Sequence, residues 1–508
     1  MSNNPPVLIK ETASYWVSHV IDPVTQDNEI HIKSKTAGGY FARHRKYNLL
    51  DEDGRVISSE KITFDVAEFI LANFELKGDT ESFNIRASDL RGREISLKKA
   101  PIVRPQDVRH ADTVEEKSFT ATGAKMQAHW PIVKKFSETG YGSIIRATMT
   151  NHQVCSSHCQ YCSTILRNRK DSVSIEEAKE FIGKLYFTQA EFNKKNFAVY
   201  NNLYRAQTGS DIRLRGLILS GGGQPNLWTH FEEFVRWLGT LDIDLGLITN
   251  GFPPKIDEAI YRFFKWIRIS ITPEDASPHY KNGRFDRQYL PKIIINNPEM
   301  TVGLSYVVGP WTDDGILQRI HKIIEENGFD YCRLLTDCNL TRNSQLLAHQ
   351  NLAERLFKLG YIDREGKPLT KMFHQLKYHG TREEAEQLWD QGQCFLQVYN
   401  VFWDTTGHEE RGVSYCYPCD SVTVLAEETT DGHISVSARK FNSQKWGTYN
   451  NREVEKLFTE PVKAFFDPRK LCSSCLFMKN NWMVKDMAQR KDYSTIAVTP
   501  DIRHLNFP

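Results

Sequence analysis

Between about residues 140 and 345 the sequence repeats one local pattern. A short apolar run is followed by a polar or glycine-bearing loop, then by a stretch with helical spacing. The runs are 142–150 (GSIIRATMT), 214–220 (LRGLILS), 245–249 (LGLIT), 267–271 (IRISI), 302–308 (VGLSYVV) and 331–335 (YCRLL). Between them, Ser174 followed by Glu177 makes a capping box ahead of Ile175, Ala178, Phe181 and Ile182. Further helices are expected from Trp228 to Leu238, over 255–266 behind Pro253–Pro254, and over 314–327 before a stop at Gly328. Strands alternating with helices in this way give an α/β fold whose parallel sheet is covered by crossover helices. Six such units suggest a partial (β/α)6 barrel with its ligand site at the carboxyl ends of the strands.

The whole chain, 508 residues, is too long for one ordinary core. Residues 1–110 read as an N-terminal α+β domain for support or substrate recognition. Glu29 to Lys33 alternates like a strand, Lys61 to Phe64 suggests strand or helix entry, and Val66, Phe69, Ile70 and Phe74 have helical spacing. Residues 111–139 read as a connector, 140–345 as the core, 346–389 as a helical linker, 390–480 as a cysteine-rich auxiliary domain and 481–508 as a closing extension. Lys plus Arg number 65 against 63 for Asp plus Glu, so the charge gives no support for a nucleic-acid binder. The first residues lack the basic-then-apolar pattern of a secretion signal, and no apolar run approaches the roughly 20 residues of a membrane span. A cytoplasmic protein with reduced cysteines is therefore expected.

The cysteine spacing narrows the chemistry. Cys155, Cys159 and Cys162 follow the first strand of the parallel unit with gaps of three and two residues. Three thiolates on one loop suit three irons of a 4Fe–4S cluster, leaving the fourth iron open to a small chelating molecule. A structural zinc site wants four ligands, and only His158 or His152 is at hand to complete it.

With an aromatic, Tyr161, just before the last cysteine, this motif resembles that of the radical S-adenosylmethionine (SAM) superfamily. Two further marks follow in the expected order: Ser220–Gly221–Gly222–Gly223–Gln224–Pro225 after the second strand, and Leu247–Ile248–Thr249–Asn250–Gly251 after the third. Arg268 and Ser270 resemble polar residues of the next strand that reach the cofactor. The family usually has an acidic residue where this chain has Gln224, so a backbone contact to the methionine amino group is expected without a carboxylate one. Tyr161 is expected near the adenine. The resemblance implies that a reduced cluster cleaves SAM to a 5′-deoxyadenosyl radical, which abstracts hydrogen from the substrate. It also implies a reducing protein partner such as flavodoxin or ferredoxin.

A second set, Cys416, Cys419, Cys472 and Cys475, with Cys394 upstream, contains two Cys-x2-Cys pairs able to close on one metal. Zinc is one reading. The position after the barrel resembles the SPASM and twitch auxiliary extensions, which implies a second 4Fe–4S cluster, although five cysteines stand where a full SPASM pattern has seven.

Cys338, at a strand end, and Cys332, within the strand, are candidate hydrogen donors to a substrate radical. Tyr306 and Arg333 are candidate anchors for a carboxylate or phosphate, and Asp275 and His279 candidate mouth residues. The favoured function is radical modification of a peptide or protein by cross-linking or epimerisation. The alternatives are a small-metabolite substrate (sugar, amino acid or nucleoside) and, in another class, a zinc-stabilised scaffold.

Overall fold

The computed structural model describes residues 8–11, 15–21, 28–34, 41–50, 56–62, 66–67, 70–71, 83–86, 108–157, 170–251, 257–271, 289–309, 312–337, 342–376, 393–403, 412–414, 449–450, 453–462 and 477–508. The chain divides into two units, Met1–Ile102 with Glu427–Ser437, and Val103–Ala426 with Ala438–Pro508.

The first unit carries two small sheets. Strands β1 (Leu8–Glu11), β2 (Tyr15–Ile21), β3 (Asn28–Ser34) and β4 (Phe41–His44) form an antiparallel meander in chain order. Strand β5 (Lys46–Leu50) lies between β6 (Val56–Lys61), antiparallel, and β7 (Phe83–Arg86), parallel. The strand expected at 29–33 is β3, and it is buried on both faces. Ile30 and Ile32 fill one side. On the other, the Glu29 carboxylate accepts from His31 Nε2 at 2.6 Å and Arg45 Nε at 2.5 Å, which offsets the cost of its burial. Val66, Ala67, Ile70 and Leu71 are helical and buried; Phe69 and Phe74 lie outside the described residues.

The second unit is built on a ten-stranded sheet. Strands β8 (Arg146–Met149), β9 (Gly216–Leu219), β10 (Asp244–Thr249), β11 (Phe264–Ser270), β12 (Thr301–Val308) and β13 (Tyr331–Thr336) are parallel neighbours in chain order. Parallel strands joined in one direction by right-handed crossovers place their helices on one face. The apolar alternate positions of the strands meet those helices: Met149, Leu219, Leu247, Ile269, Leu304 and Leu334 pack with Phe181, Phe231, Phe234, Leu317, Ile320 and Leu356. Each such buried side chain contributes about 1.5–3 kcal/mol. The sheet continues through β14 (Met372–His374), parallel to β13, and through β15 (Asn400–Trp403), parallel to β8, to the antiparallel edge strands β16 (Gly412–Ser414) and β17 (Tyr449–Asn450).

Local signals locate several helices closely. Ser174 Oγ accepts from Glu177 N at 3.1 Å and opens helix Ile175–Gly183. Asp313 caps helix Asp314–Asn327, which ends at Gly328 with φ 73°. One expectation is corrected. The helix expected over 255–266 is a six-residue 3-10 turn, Glu258–Phe263, and Phe264 already belongs to β11. There Ile267, Ile269 and Phe264 belong to the sheet's buried layer, so pairing with β10 and β12 outweighs the helical spacing.

The stretch read as a connector is helical: Val114–Phe119, a 3-10 segment Gly123–His129, and Trp130–Thr139. Its Met126, Ile132 and Val133 pack with Val398, Tyr399, Val484 and Met487 in a second apolar cluster. Among the described residues no helix is long and apolar enough to cross a membrane.

Candidate active site

The first half of the cysteine loop leaves β8 at Thr150 and is held from three sides. Its base is closed by a short antiparallel bridge between His152 and Ser172, with Gln153 N donating to Asp171 O at 2.9 Å and Val173 N to Asn151 O at 3.1 Å. The chain therefore leaves at 153 and returns at 171 beside itself, and Cys155, Cys159 and Cys162 fall within that excursion. Thr150 N donates to Trp403 O at 3.0 Å on the neighbouring strand β15.

The glycine run after β9 forms the second side. Gly221 has φ +107°, and a Cβ there would sit 1.9 Å from Thr150 Cγ2. A Cβ on Gly222 would meet Gln153 Oε1 at 1.4 Å, and one on Gly223 would meet Val154 O at 2.2 Å. These glycines thus let the loop's backbone lie directly on the end of β9. Gln224 then locks the contact. Its N donates to Val154 O at 2.7 Å, its carbonyl accepts from His152 Nε2 at 2.5 Å, and its Oε1 accepts from Ser156 Oγ at 2.9 Å. Burial lowers the His152 pKa, against the opposing pull of the Gln224 carbonyl, which keeps the ring neutral near pH 7.

Asn250, at the end of β10, supplies the third side by donating from Nδ2 to Ser156 Oγ at 2.8 Å and Ser157 Oγ at 2.9 Å. Cys155 is part-exposed, and its Sγ accepts from Ser157 N at 3.4 Å. A part-exposed sulfur on a loop fixed by its neighbours can reach a metal. The loop base therefore fits a metal-ligating role for Cys155. Among the described residues no group of three His, Cys, Asp or Glu side chains is arranged around a metal position. Cys159, Cys162, Tyr161 and His158 lie outside the described residues, as do Cys416, Cys419, Cys472, Cys475, Cys338, Asp275 and His279.

Behind the loop, the face of the sheet away from the helices lines a cavity of about 630 Å³. Arg146, Thr148, Ile218, Ser220, Ile248, Trp266, Arg268, Tyr331 and Arg333 contribute from β8 to β13, and Lys125, His504 and Phe507 contribute from flanking segments. Arg268 pairs in register with Gly303, and Gly303 with Tyr331; Arg333 pairs with Ser305, and Ser305 with Ser270. Arg268, expected to reach the cofactor, is thus a cavity residue. Ser270 is the last residue of its strand.

Strand alternation places two other candidates on the opposite face. Cys332 is fully buried in the apolar layer under the helices, and burial there raises its thiol pKa strongly. It has no access to the cavity, so a hydrogen-donor role does not suit its position. Tyr306 lies in the same layer with its hydroxyl 3.2 Å from Thr312 Oγ1, whereas Arg333 faces the cavity. Cys394 is buried, with Sγ 3.6 Å from Asn481 Oδ1, and Asn481 is six residues beyond Cys475 in the chain.

The sequence reading missed Ser156, Ser157, Lys125 and Arg146. A usable signal existed for Arg146: like Arg268 and Arg333, it interrupts an otherwise apolar strand. Lys125, in a 3-10 segment, carries no such mark.

No protein-family model matches the sequence, and no curated protein matches it. Solved structures do. The chain is similar to Streptococcus suis SuiB bound to S-adenosylmethionine, with a TM-score of 0.40, 11% identity, and 65% of this chain and 69% of that one covered. For anSMEcpe with bound AdoMet and Cp18Cys peptide the TM-score is 0.34 at 15% identity, over 68% of this chain and 96% of that one. For archaeal TYW1 it is 0.24 at 13% identity, over 38% and 65%.

Proposed function

We propose that this chain is a radical SAM enzyme built on a partial (β/α)6 barrel, acting on a peptide or protein by cross-linking or epimerisation. The observation that carries the reading is the seating of the Cys155 loop on Gly221–Gln224 at the carboxyl ends of β8 and β9. Combined with the Cys-x3-Cys-x2-Cys spacing, it suits a three-thiolate 4Fe–4S site in which Cys155, Cys159 and Cys162 are the ligands. Such a cluster, when bound with SAM, supplies a 5′-deoxyadenosyl radical.

The chain's own residues would position and shield that chemistry. Gln224 and Asn250 fix the loop through Ser156 and Ser157. Tyr161, Gly221, Gly222, Gly223, Arg268 and Ser270 complete the proposed SAM contacts. Cys416, Cys419, Cys472 and Cys475, with Cys394, would hold an auxiliary cluster or zinc. The peptide reading rests on the likeness of those cysteine pairs to SPASM and twitch extensions. Cys338 is the proposed hydrogen donor, the first unit a support or substrate-recognition domain, and a flavodoxin or ferredoxin the reductant. A small-metabolite substrate is the second reading, favoured by the size of the cavity, which is within the range of ligand pockets.

The test is iron, sulfide and zinc content of anaerobically reconstituted protein beside a variant with Cys155, Cys159 and Cys162 all changed to Ala. About eight irons falling to about four supports two clusters; about four irons plus zinc, falling to zinc alone, supports one cluster and a structural C-terminal site. Wild-type protein without iron would sink the radical reading.

A further inference from the structure

The inner face of the sheet concentrates positive charge that, among the described residues, Asp and Glu side chains balance only in part. Lys125, Arg146 and Arg333 are buried at 1%, 8% and 6% exposure, and Arg268 is half-buried beside them; all four line the cavity. Including Lys117 and Lys479, the lining holds six Lys and Arg side chains against two carboxylates, Asp112 and Glu116. Asp112 is 3.8 Å from Lys117 Nζ, and Glu116 is 3.0 Å from His110 Nε2. Among the described residues no Asp or Glu oxygen comes within 4.0 Å of Lys125, Arg146, Arg268 or Arg333.

Acceptors within the chain satisfy part of the set. Lys125 Nζ donates to the neutral Ser118 O at 2.8 Å and Arg333 Nη1 to the neutral Gln375 Oε1 at 3.2 Å, while Arg146 Nη1 donates to Pro508 O, in the terminal carboxyl group of the 508-residue sequence. The Nε atoms of Arg146, Arg268 and Arg333 are buried without any partner. The cations also disfavour one another: Lys125 is held down by burial and then by Arg146 and Arg268, and Arg333 by burial and then by Arg268. Burying like charges unpaired is costly, and folding alone gives no reason to place three arginines on inner positions of three different strands.

We propose that Lys125, Arg146 and Arg333 form a binding site for an oxyanion group of the substrate carrying two or more negative charges, a phosphate or paired carboxylates. Guanidinium forks with a free Nε match such groups bidentately. Arg268 is left to the cofactor assigned above. The inference rests on the proposed function for its identification of the ligand as substrate, but the site itself does not need iron.

The probes are inorganic phosphate and succinate, added to the full chain at constant ionic strength with chloride as control, and the readout is the thermal midpoint. Either anion raises the midpoint of the wild type beyond chloride, and Arg333→Met removes the rise. A response to phosphate alone identifies a phosphorylated source, and a response to succinate alone an acidic side chain or dicarboxylate. Arg333→Met without added anion should melt at or above the wild type, because an uncompensated charge has gone; a merely structural arginine would give the opposite sign. Lys125→Met repeats the test should Arg333→Met fail to fold. No rise in the wild type, or a rise surviving in both variants, overturns the proposal. Iron content on the same preparations separates the two readings. An anion response without iron leaves the site and removes the radical chemistry, while iron without the response does the reverse.

Discussion

The strand ends and the inner face of one sheet hold their polar groups by opposite means. At the strand ends, Gln224, Asn250 and His152 give the first half of the cysteine loop hydrogen-bond partners on three sides, and three glycines bring backbone within contact distance. On the inner face, the lining holds six Lys and Arg side chains against the carboxylates of Asp112 and Glu116, and the side-chain nitrogens of Lys125 and Arg333 meet neutral acceptors. The first arrangement is stable as it stands and fixes geometry. The second is under electrostatic stress and gains stability when an anion enters. A satisfied polar network marks a frame that is built before the ligand arrives; an unsatisfied one marks where a ligand is awaited.

The sharpest way to break this contrast is to add one methyl group to the frame. Gly223→Ala forces a Cβ into the carbonyl oxygen of Val154, backbone that cannot yield, and should cost about 3 kcal/mol. Gly222→Ala meets only the end of the Gln153 side chain and should cost about half as much. Urea unfolding of the two variants measures the difference, and equal losses would show that the loop is not seated as described.

A buried cation outside the cavity provides the control. Lys135 donates to Gly142 O at 2.9 Å and Asn193 Oδ1 at 2.8 Å and does not line this cavity, and burial lowers its pKa to about 7. Its ordinary value is 10.5, so between pH 7 and 10.5 the unfolded chain binds the extra proton and stability rises with pH. That contribution is complete above 10.5 and is lost as the pH falls through 7. Lys135→Met should flatten this part of the stability profile and leave the phosphate and succinate response intact. A profile unchanged by the substitution would remove the control.

The smallest effect is expected at Asn250. Asn250→Ala deletes the donors to Ser156 and Ser157 and should cost about 1 kcal/mol, with faster thiol labelling at Cys155. Unchanged labelling would mean that Asn250 does not hold the loop.

How much of this was legible in sequence differs by element. The start of helix Ile175–Gly183 and the span of helix Asp314–Asn327 were readable to within a residue or so, because the capping box at Ser174 and the stop at Gly328 are local chemistry. Residues 255–266 were misread because proline and an apolar spacing also occur where a strand begins, and neighbouring strands decided between them. Strands β14 and β15 went unseen: three or four residues carry little periodicity, and both exist by pairing with distant partners. The spacing of Cys155, Cys159 and Cys162 was plain, while the serines that pin the loop had no mark of their own.

What the sequence determined by itself was the order of the six units, the placement of the cysteine motif after the first strand, and the glycine run after the second. All three depend on residues near one another in the chain. Only the tertiary structure decided which face of each strand looks inward. A period of two separates Arg333 from Cys332 but does not say which of them meets the helices. Long-range packing made that choice, and in making it gathered Arg146, Arg268, Arg333 and Lys125 around one space while setting Cys332 and Tyr306 behind the sheet.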